Sequence, residues 1–148
     1  MLYKSDMPTS PNGVRPFHME IIVEAAAIDA NGHVNNVVYV QWMQALAIQH
    51  WRAMGGEAIN QEHQATWVAR SHHIEYLRPA FLDDRIHATT WVHDVGRVRS
   101  TRKYAFHRES DGTLLARGET DWVFIRLADG RPTAIPAVIH GILGPAQE

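Results

Sequence analysis

The chain has no cysteine among its 148 residues, so disulfide bonds, thiolate metal sites and cysteine nucleophiles are all excluded. It has no apolar run approaching the roughly 18 residues of a membrane span, and its first residues lack the apolar segment of a standard signal peptide. The formal net charge is only −2, which gives no electrostatic reason to expect nucleic acid or an anionic membrane as the main partner. These absences predict a soluble cytoplasmic domain.

Length and composition predict a single folded domain. The chain is long enough to bury one hydrophobic core, and its 45% hydrophobic and 20% charged residues are ordinary for a globular protein. Residues 1–16 contain three prolines, Pro8, Pro11 and Pro16, together with polar residues that bury nothing. We therefore expect a flexible leader at residues 1–16 and one domain at residues 17–148.

A segment in the first third of the chain predicts the central element. Residues 36–54 include no glycine or proline and have hardly any polar face, and Gly55-Gly56 then supplies a stop signal. A helix that is apolar on nearly all sides is normally buried. Residues 29–35, which precede it, are rich in Asp, Asn and Gly, which favour turns and helix caps. The sequence therefore predicts a buried central helix with a tight turn at its N-terminus.

Apolar and β-branched residues predict five β-strands, at residues 17–28, 66–77, 85–94, 98–108 and 113–127. Asp111-Gly112 is a strong signal for a hairpin between the last two strands. Residues 55–64 are predicted to form a polar connection, and residues 131–136 a tail with little structure. One long helix after the first strand, followed by four antiparallel strands, predicts an α+β fold in which a curved antiparallel sheet wraps around the helix.

The turn and the start of the helix carry a specific motif, Asp29-x-x-Gly32-His33-Val34-Asn35-Asn36-x-x-Tyr39. Two weaker motifs follow in order, residues 74–79 with Asp83-Asp84, and residues 118–120 with residues 130–136. In these residues the chain resembles the hotdog-fold thioesterases of the 4-hydroxybenzoyl-CoA thioesterase-like family, and around the helix it has some likeness to plant acyl-ACP thioesterases. The resemblance implies a hotdog fold and hydrolysis of a thioester to a carboxylic acid and a free thiol.

The resemblance also implies the roles of two residues. The family's catalytic aspartate falls on Asp29, and the backbone N–H that polarises the thioester carbonyl falls on Asn36. A helix N-terminus offers unpaired N–H donors and the positive end of the helix dipole, which both stabilise a developing oxyanion. Asp29 is then either the nucleophile or the base that activates water, while Gly32 lets the chain turn tightly beside the substrate. Many family members have glutamate where this chain has Gln44, so Asp29 is the only acid of the motif.

Three further residues of the motif have two candidate roles each. His33 is either a proton shuttle or a residue that hydrogen-bonds locally to hold the turn. Asn35 either contacts the substrate or caps the helix, and Tyr39 either lines the acyl pocket or packs in the core. The residues alone leave these alternatives open.

The only basic cluster contains Arg97, Arg99, Arg102 and Lys103. These side chains either bind the phosphates of coenzyme A or form a solvated strand face. No cofactor is expected, and no metal either. The chain has ten histidines, but the adjacent His72 and His73 point to opposite faces of a strand and no histidine pair has helical metal-ligand spacing.

The leading prediction is an acyl-CoA thioesterase. An acyl-ACP thioesterase, a hotdog hydratase or dehydratase, and a non-catalytic acyl-CoA-binding domain are the alternatives. The strand at residues 66–77 has no proline or lysine to discourage pairing with another chain. The resemblance implies that two sheets join edge to edge, so we expect a homodimer or homotetramer with each active site between two copies.

Overall fold

The computed structural model of the protein describes residues 16–143, which form a five-stranded sheet and three α-helices. The strands are β1 (Phe17–Ile22), β2 (Ala65–Tyr76), β3 (Arg85–Val95), β4 (Arg99–Arg108) and β5 (Leu114–Arg126). The helices are α1 (Asn36–Ala53), α2 (Gly56–His63) and α3 (Ala137–Leu143), and a short 3-10 helix (Ala25–Ala27) follows β1. The predicted leader lies outside the described residues, apart from its last position.

The strands lie in the order β1-β3-β4-β5-β2, and every neighbouring pair is antiparallel. The consecutive strands β3, β4 and β5 form the middle of the sheet, and β1 and β2 are its two edges. The predicted hairpin between β4 and β5 is present, with Gly112 at a φ of 71° and the Arg108 N–H donating to the Thr113 carbonyl at 2.8 Å. The predicted α+β fold, an antiparallel sheet against one long helix, is confirmed.

Helix α1 packs one face against the sheet. Its buried side chains recur at the three- and four-residue spacing of a single helix face; they are Tyr39, Met43, Leu46, Ala47, His50 and Trp51. On the other side of the helix, Val37 is 64% and Ile48 46% exposed. The prediction that this helix is buried on nearly all sides is therefore wrong for the single chain, because one sheet covers only one face of a helix.

The first predicted strand is too long. It ends at Ile22 instead of residue 28, and the alanine run that follows forms the 3-10 helix Ala25–Ala27. Alanine is a poor strand former, so the chain leaves the sheet at this run and turns towards α1.

Two helices were not predicted. Residues 55–64, expected as a polar connection, contain α2, whose Gly56 lies flat against the indole of Trp51. A Cβ atom at Gly56 would come within 2.0 Å of that ring. Helix α3 follows the predicted tail, and its Ile139 and Leu143 are buried in one cluster with Trp51 and Phe124. Both helices therefore depend on contacts with α1 or the sheet.

No helix within residues 16–143 is both long and apolar enough to cross a membrane.

Candidate active site

Asp29 begins a tight turn between the 3-10 helix and α1. The residues on either side of the turn, Ile28 and Val34, form an antiparallel bridge. The Asp29 N–H donates to the His33 carbonyl and the Gly32 N–H donates to the Asp29 carbonyl, each at 3.0 Å. Gly32 has a φ of 83°, a left-handed conformation that glycine adopts without strain.

The Asp29 carboxylate takes part in this turn through one oxygen only. Oδ1 accepts a hydrogen bond from the Asn31 N–H at 2.9 Å, which is the side-chain-to-backbone contact typical of aspartate in turns. Within residues 16–143, Oδ2 accepts no hydrogen bond. The turn therefore orients the carboxylate and leaves its second oxygen available to a water molecule or a substrate carbon.

The N-terminus of α1 presents a free donor. Asn35 caps the helix, because its Oδ1 accepts from the Val37 N–H at 3.0 Å and its own N–H donates to the Ala27 carbonyl at 2.9 Å. The next N–H, that of Asn36, has no acceptor in the described part of the chain. The first turn of α1 contains no acidic side chain, so nothing in that turn neutralises the positive end of the helix dipole.

Tyr76, at the end of β2, was not singled out from the sequence. Its hydroxyl donates to the Asn36 carbonyl at 3.1 Å, and its ring meets the Tyr39 ring edge to face with a centroid distance of 5.5 Å. Residue 76 lies within one of the weaker motifs, but its contact with residue 36 depends on the pairing of β2 in the sheet. A sequence pattern does not contain that information.

Tyr39 lies inside the core. Its side chain is 3% exposed and contacts the rings of Trp42 and Phe106 at centroid distances of 5.0 and 5.3 Å. Burial raises the pKa of its phenol to about 12, so the hydroxyl stays protonated at neutral pH. Of its two candidate roles, this placement favours core packing.

A loop between β2 and β3 supports the turn from one side. The Val34 N–H donates to the Ala80 carbonyl at 2.9 Å. Arg108 holds the loop at two further points, since Nη2 donates to the Pro79 carbonyl at 2.7 Å and Nε to the Asp84 carboxylate at 3.2 Å. The sequence motif included Asp84, but it gave no indication that Arg108, 24 residues later, would be its partner.

His33 holds the turn through its backbone. Its carbonyl accepts from the Asp29 N–H, and its ring faces the edge of the Phe81 ring at a centroid distance of 6.5 Å. Within residues 16–143 the His33 imidazole makes no hydrogen bond. The backbone carbonyl of His33 therefore supports the turn, whereas its imidazole ring does not.

The basic cluster is not brought to this turn within one chain. Arg99 pairs with Asp121, and the Lys103 Nζ lies 4.0 Å from Glu119. Arg99 is the first residue of β4, Arg97 precedes it, and Arg108 is the last residue of the strand. The distance from Arg99 to Arg108 is about 30 Å along an extended strand. The arrangement in one chain favours a solvated strand face for Arg97, Arg99 and Lys103. That interpretation is wrong for Arg102, which is only 6% exposed.

Among the described residues, no group of three or more His, Asp or Glu side chains is placed so that it could hold a metal ion. His72, one of the two adjacent histidines, shares a hydrogen bond with the Thr120 hydroxyl at 2.8 Å.

Comparison with known proteins assigns this turn and helix to a family. The model of the thioesterase-like superfamily matches residues 23–143, which include the Asp29 turn, α1 and the whole of β2 to β5. No curated protein matches the chain.

Solved structures with the same fold include three with thioester or coenzyme A associations. A 1,4-dihydroxy-2-naphthoyl-CoA thioesterase from Synechocystis is 19% identical with a TM-score of 0.77, over 86% of this chain and 95% of that one. The probable thioesterase YbaW from Escherichia coli is 20% identical with a TM-score of 0.77, over 88% and 98%. The protein SAV2348 from Staphylococcus aureus, solved in complex with CoA, is 20% identical with a TM-score of 0.78, over 91% and 89%.

Identities near 20% establish the shared fold, whereas the family match rests on the sequence of most of the chain. Together they confirm the predicted hotdog fold and the predicted enzyme class, a thioesterase. The chain, with its capped helix, its aspartate turn and its five antiparallel strands, belongs to the thioesterase-like superfamily.

Proposed function

We propose that the protein hydrolyses acyl-coenzyme A thioesters, with Asp29 and the Asn36 N–H as the reacting groups. The observation that supports this most strongly is the free Asn36 N–H at the start of α1, seven residues after a carboxylate with one free oxygen. The Synechocystis relative is named for an acyl-CoA substrate and the Staphylococcus relative was solved with CoA, and these names support coenzyme A as the thiol.

In the proposed mechanism, the thioester carbonyl oxygen accepts a hydrogen bond from the Asn36 N–H. The helix dipole stabilises the negative charge that develops on this oxygen. Asp29 removes a proton from water, the water oxygen bonds to the carbonyl carbon, and the carbon–sulfur bond then breaks. The thiolate of coenzyme A leaves without a strong general acid, so the absence of a second carboxylate at Gln44 does not prevent turnover.

Direct attack by Asp29 is the alternative route to the same products. It would form an anhydride between Asp29 and the acyl group, which water then cleaves. Single-turnover hydrolysis in ¹⁸O-labelled water tests for this route, because label in the Asp29 peptide arises only if an acyl-enzyme forms. Gly32, His33 and Asn35 shape the turn and the cap in either route.

The test of the function is release of free thiol from a panel of acyl-CoA substrates. The panel should include short, long and aromatic acyl groups, and each should be compared with the same acyl group on a carrier protein. We expect hydrolysis of at least one acyl-CoA, with lower activity on the carrier-protein form. An absence of thiol release from all substrates, or hydration of an enoyl-CoA without thiol release, would contradict the proposal.

We further propose that the active enzyme is at least a homodimer joined through β2. In the single chain, exposed apolar side chains lie around the Asp29 turn and the start of α1. They are Val37, Tyr76, Leu77, Phe81 and Leu82. β2 is an edge strand twelve residues long with most of its side chains exposed, and a long unprotected edge favours pairing with another strand. A second copy would cover these surfaces, complete the wall of the substrate site and bring its own Arg97, Arg99 and Lys103 as candidate phosphate contacts.

Light scattering at low micromolar concentration tests the assembly. We expect the mass of two or four chains. A monomeric mass together with full thioesterase activity would exclude a site shared between copies. As part of the same proposal, residues 17–148 form one catalytic domain that acts in the cytoplasm.

A further inference from the structure

A cavity lies at the opposite end of α1 from the Asp29 turn. It has a volume of about 290 Å³ and is lined by the C-terminal half of α1, by α2 and α3, and by residues of β2, β3, β4 and β5. Three tryptophans, Trp51, Trp67 and Trp122, contribute to walls that are mostly apolar. Trp51 is fifteen residues along α1 from Asn36, which corresponds to about 22 Å. The cavity is therefore separate from the Asp29 turn of the same chain.

A buried cation lines this cavity. Arg102, on β4, is 6% exposed. Its Nη1 donates to the His50 Nδ1 at 2.8 Å and to the Thr90 hydroxyl at 3.1 Å, so both N–H groups of that nitrogen are used. Within residues 16–143, Nε and Nη2 have no acceptor and no carboxylate pairs with Arg102. Three N–H donors of the guanidinium are therefore left without a protein partner.

The groups around Arg102 do not neutralise its charge. His50 is 5% exposed, and burial, reinforced by the Arg102 charge, lowers the pKa of this histidine to about 3. Burial also lowers the pKa of Arg102, to about 10, so at neutral pH the guanidinium is charged and its histidine neighbour is not. The carboxylate of Glu57 also lines the cavity, but it is exposed and paired with Arg52 at 2.7 Å.

A buried charge without a counter-ion is unfavourable, and an anion that enters beside it recovers the lost interaction. The free donors of Arg102 are those of Nε and Nη2, which form the fork that binds the two oxygens of a carboxylate. A volume of about 290 Å³ is at the small end of ligand sites, which are typically apolar with a few fixed polar groups. One buried, unpaired cation in mostly apolar walls matches one carboxylate on an apolar body.

We propose that this cavity binds a small molecule with an alkyl or aromatic body and one carboxylate, which pairs with Arg102. The proposal goes beyond hydrolysis at Asp29 and does not depend on it. The carboxylate has two possible sources, a free carboxylic acid or the distal carboxylate of an acyl group held at the Asp29 turn of a second copy, because the turn of the same chain is too far away for an acyl group of this size.

The first experiment measures binding to the intact protein by calorimetry and by the emission of the cavity tryptophans. The ligands are decanoate and decanamide, which share a chain and differ in charge. We expect decanoate to bind the parent protein at least about 10-fold more tightly, as for a charge-assisted pair, and Arg102→Met to bind both equally. Equal binding of the two ligands by the parent, or a preference for decanoate that persists in Arg102→Met, would overturn the proposal.

Arg52→Gln is the matched control, because it removes an exposed cation from the rim of the same cavity. It should keep the preference for the acid, and a loss of preference here would assign the effect to surface charge and overturn the role of Arg102. Ile48→Trp covers the case in which Arg102→Met does not fold. Ile48 lines the cavity and is 46% exposed on α1, so a larger side chain there should obstruct the cavity without disturbing the core. Unchanged decanoate binding in this variant would contradict the location.

The second experiment separates the two sources. Octanoyl-CoA is compared with the CoA thioester of the eight-carbon dicarboxylic acid, with and without added decanoate. A lower KM for the dicarboxylic substrate that disappears in Arg102→Met identifies the distal carboxylate of an acyl group. A change in octanoyl-CoA turnover by decanoate that disappears in the same variant identifies a free acid. Identical responses of the parent and Arg102→Met in both comparisons would overturn the proposal. If the parent protein hydrolyses neither substrate, only the proposed function is contradicted, and the binding experiment then decides whether the cavity binds a carboxylate.

Discussion

The hydroxyl of Tyr76 donates a hydrogen bond to the backbone carbonyl of Asn36 at 3.1 Å. This bond ties the end of β2, an edge strand, to the first residue of α1. The same residue of α1 carries the free N–H that we propose as the oxyanion donor. The position of that donor thus depends on a strand that follows it by forty residues.

Tyr76→Phe should therefore lower turnover through misplacement of the Asn36 N–H. The substitution removes the hydroxyl and keeps the ring contact with Tyr39. One hydrogen bond contributes about 0.5–1.5 kcal/mol, so we expect kcat to fall about 2- to 10-fold with KM nearly unchanged. Steady-state kinetics measures this split. An increase in KM alone would show that Tyr76 contacts the substrate and does not position the donor.

Asp29→Asn should abolish most activity. The amide keeps an oxygen for the Asn31 N–H, so the turn should persist, but the proposed base or nucleophile is lost. We expect turnover to fall at least about 100-fold with an almost unchanged melting temperature.

Asp83→Asn is the matched control for this variant. Asp83 also lies in a turn, with a φ of 70°, and asparagine tolerates that conformation. Parent-like turnover in Asp29→Asn would exclude Asp29 as the catalytic acid, and an equal loss in both variants would point to damage of the turns.

Substitution of Gly32 distinguishes backbone strain from obstruction of the substrate. A Cβ at this position would meet no atom of residues 16–143 within 4 Å, but the φ of 83° is unfavourable for other residues. Gly32→Val should lose about 1–2 kcal/mol of stability, and Gly32→Asn less. If the substrate passes this backbone, both variants should also lose about 100-fold or more in turnover. Parent-like turnover in Gly32→Asn would show that only the turn conformation requires glycine.

His50 should make the protein less stable in mild acid. Burial, then the charge of Arg102, lowers its pKa from 6.5 to about 3. Below about pH 6.5 the unfolded chain binds a proton at His50 that the folded protein does not bind until about pH 3. The free energy of unfolding should therefore decrease as the pH is lowered from about 6.5 to about 3, by up to about 1.4 kcal/mol per pH unit.

Urea unfolding at pH 7 and pH 5.5 measures this dependence, in a range above the titration of most carboxyl groups. Two other histidines with lowered pKa values, His72 and His107, act in the same direction, so the comparison with His50→Gln isolates one residue. We expect a smaller loss of stability in His50→Gln, and an equal loss in both proteins would contradict the assignment.

The elements that could be predicted from the sequence are those whose signals are local. Helix α1 has a mostly apolar sequence without glycine or proline and a capping Asn35, and the hairpin after β4 has Asp111-Gly112. Helix α2 is polar and begins at the second of two glycines, and it forms because Gly56 fits against Trp51. Such a fit appears only when the chain is folded.

The residues of the two sites also divide into those that are close in sequence and those that only the fold brings together. The Asp29 turn and the Asn36 donor lie within eight consecutive residues, so one motif contained both. Tyr76 and Arg108 reach the same region from β2 and β4, and Arg102 meets His50 across 52 positions. Only the order of the strands brings these residues together, and no sequence spacing encodes it.

The strand order also constrains when the protein becomes active during its synthesis. The Asp29 turn leaves the ribosome early, but it rests on the carbonyl of Ala80 and on a loop that Arg108 holds. The middle strands form local hairpins, whereas β1 and β2 pair with strands far along the chain, and such long-range pairing is slow. A nascent chain that ends before residue 108 therefore has the proposed reacting residues but lacks the scaffold that fixes them, and its hydrolytic activity has to wait for the second half of the protein.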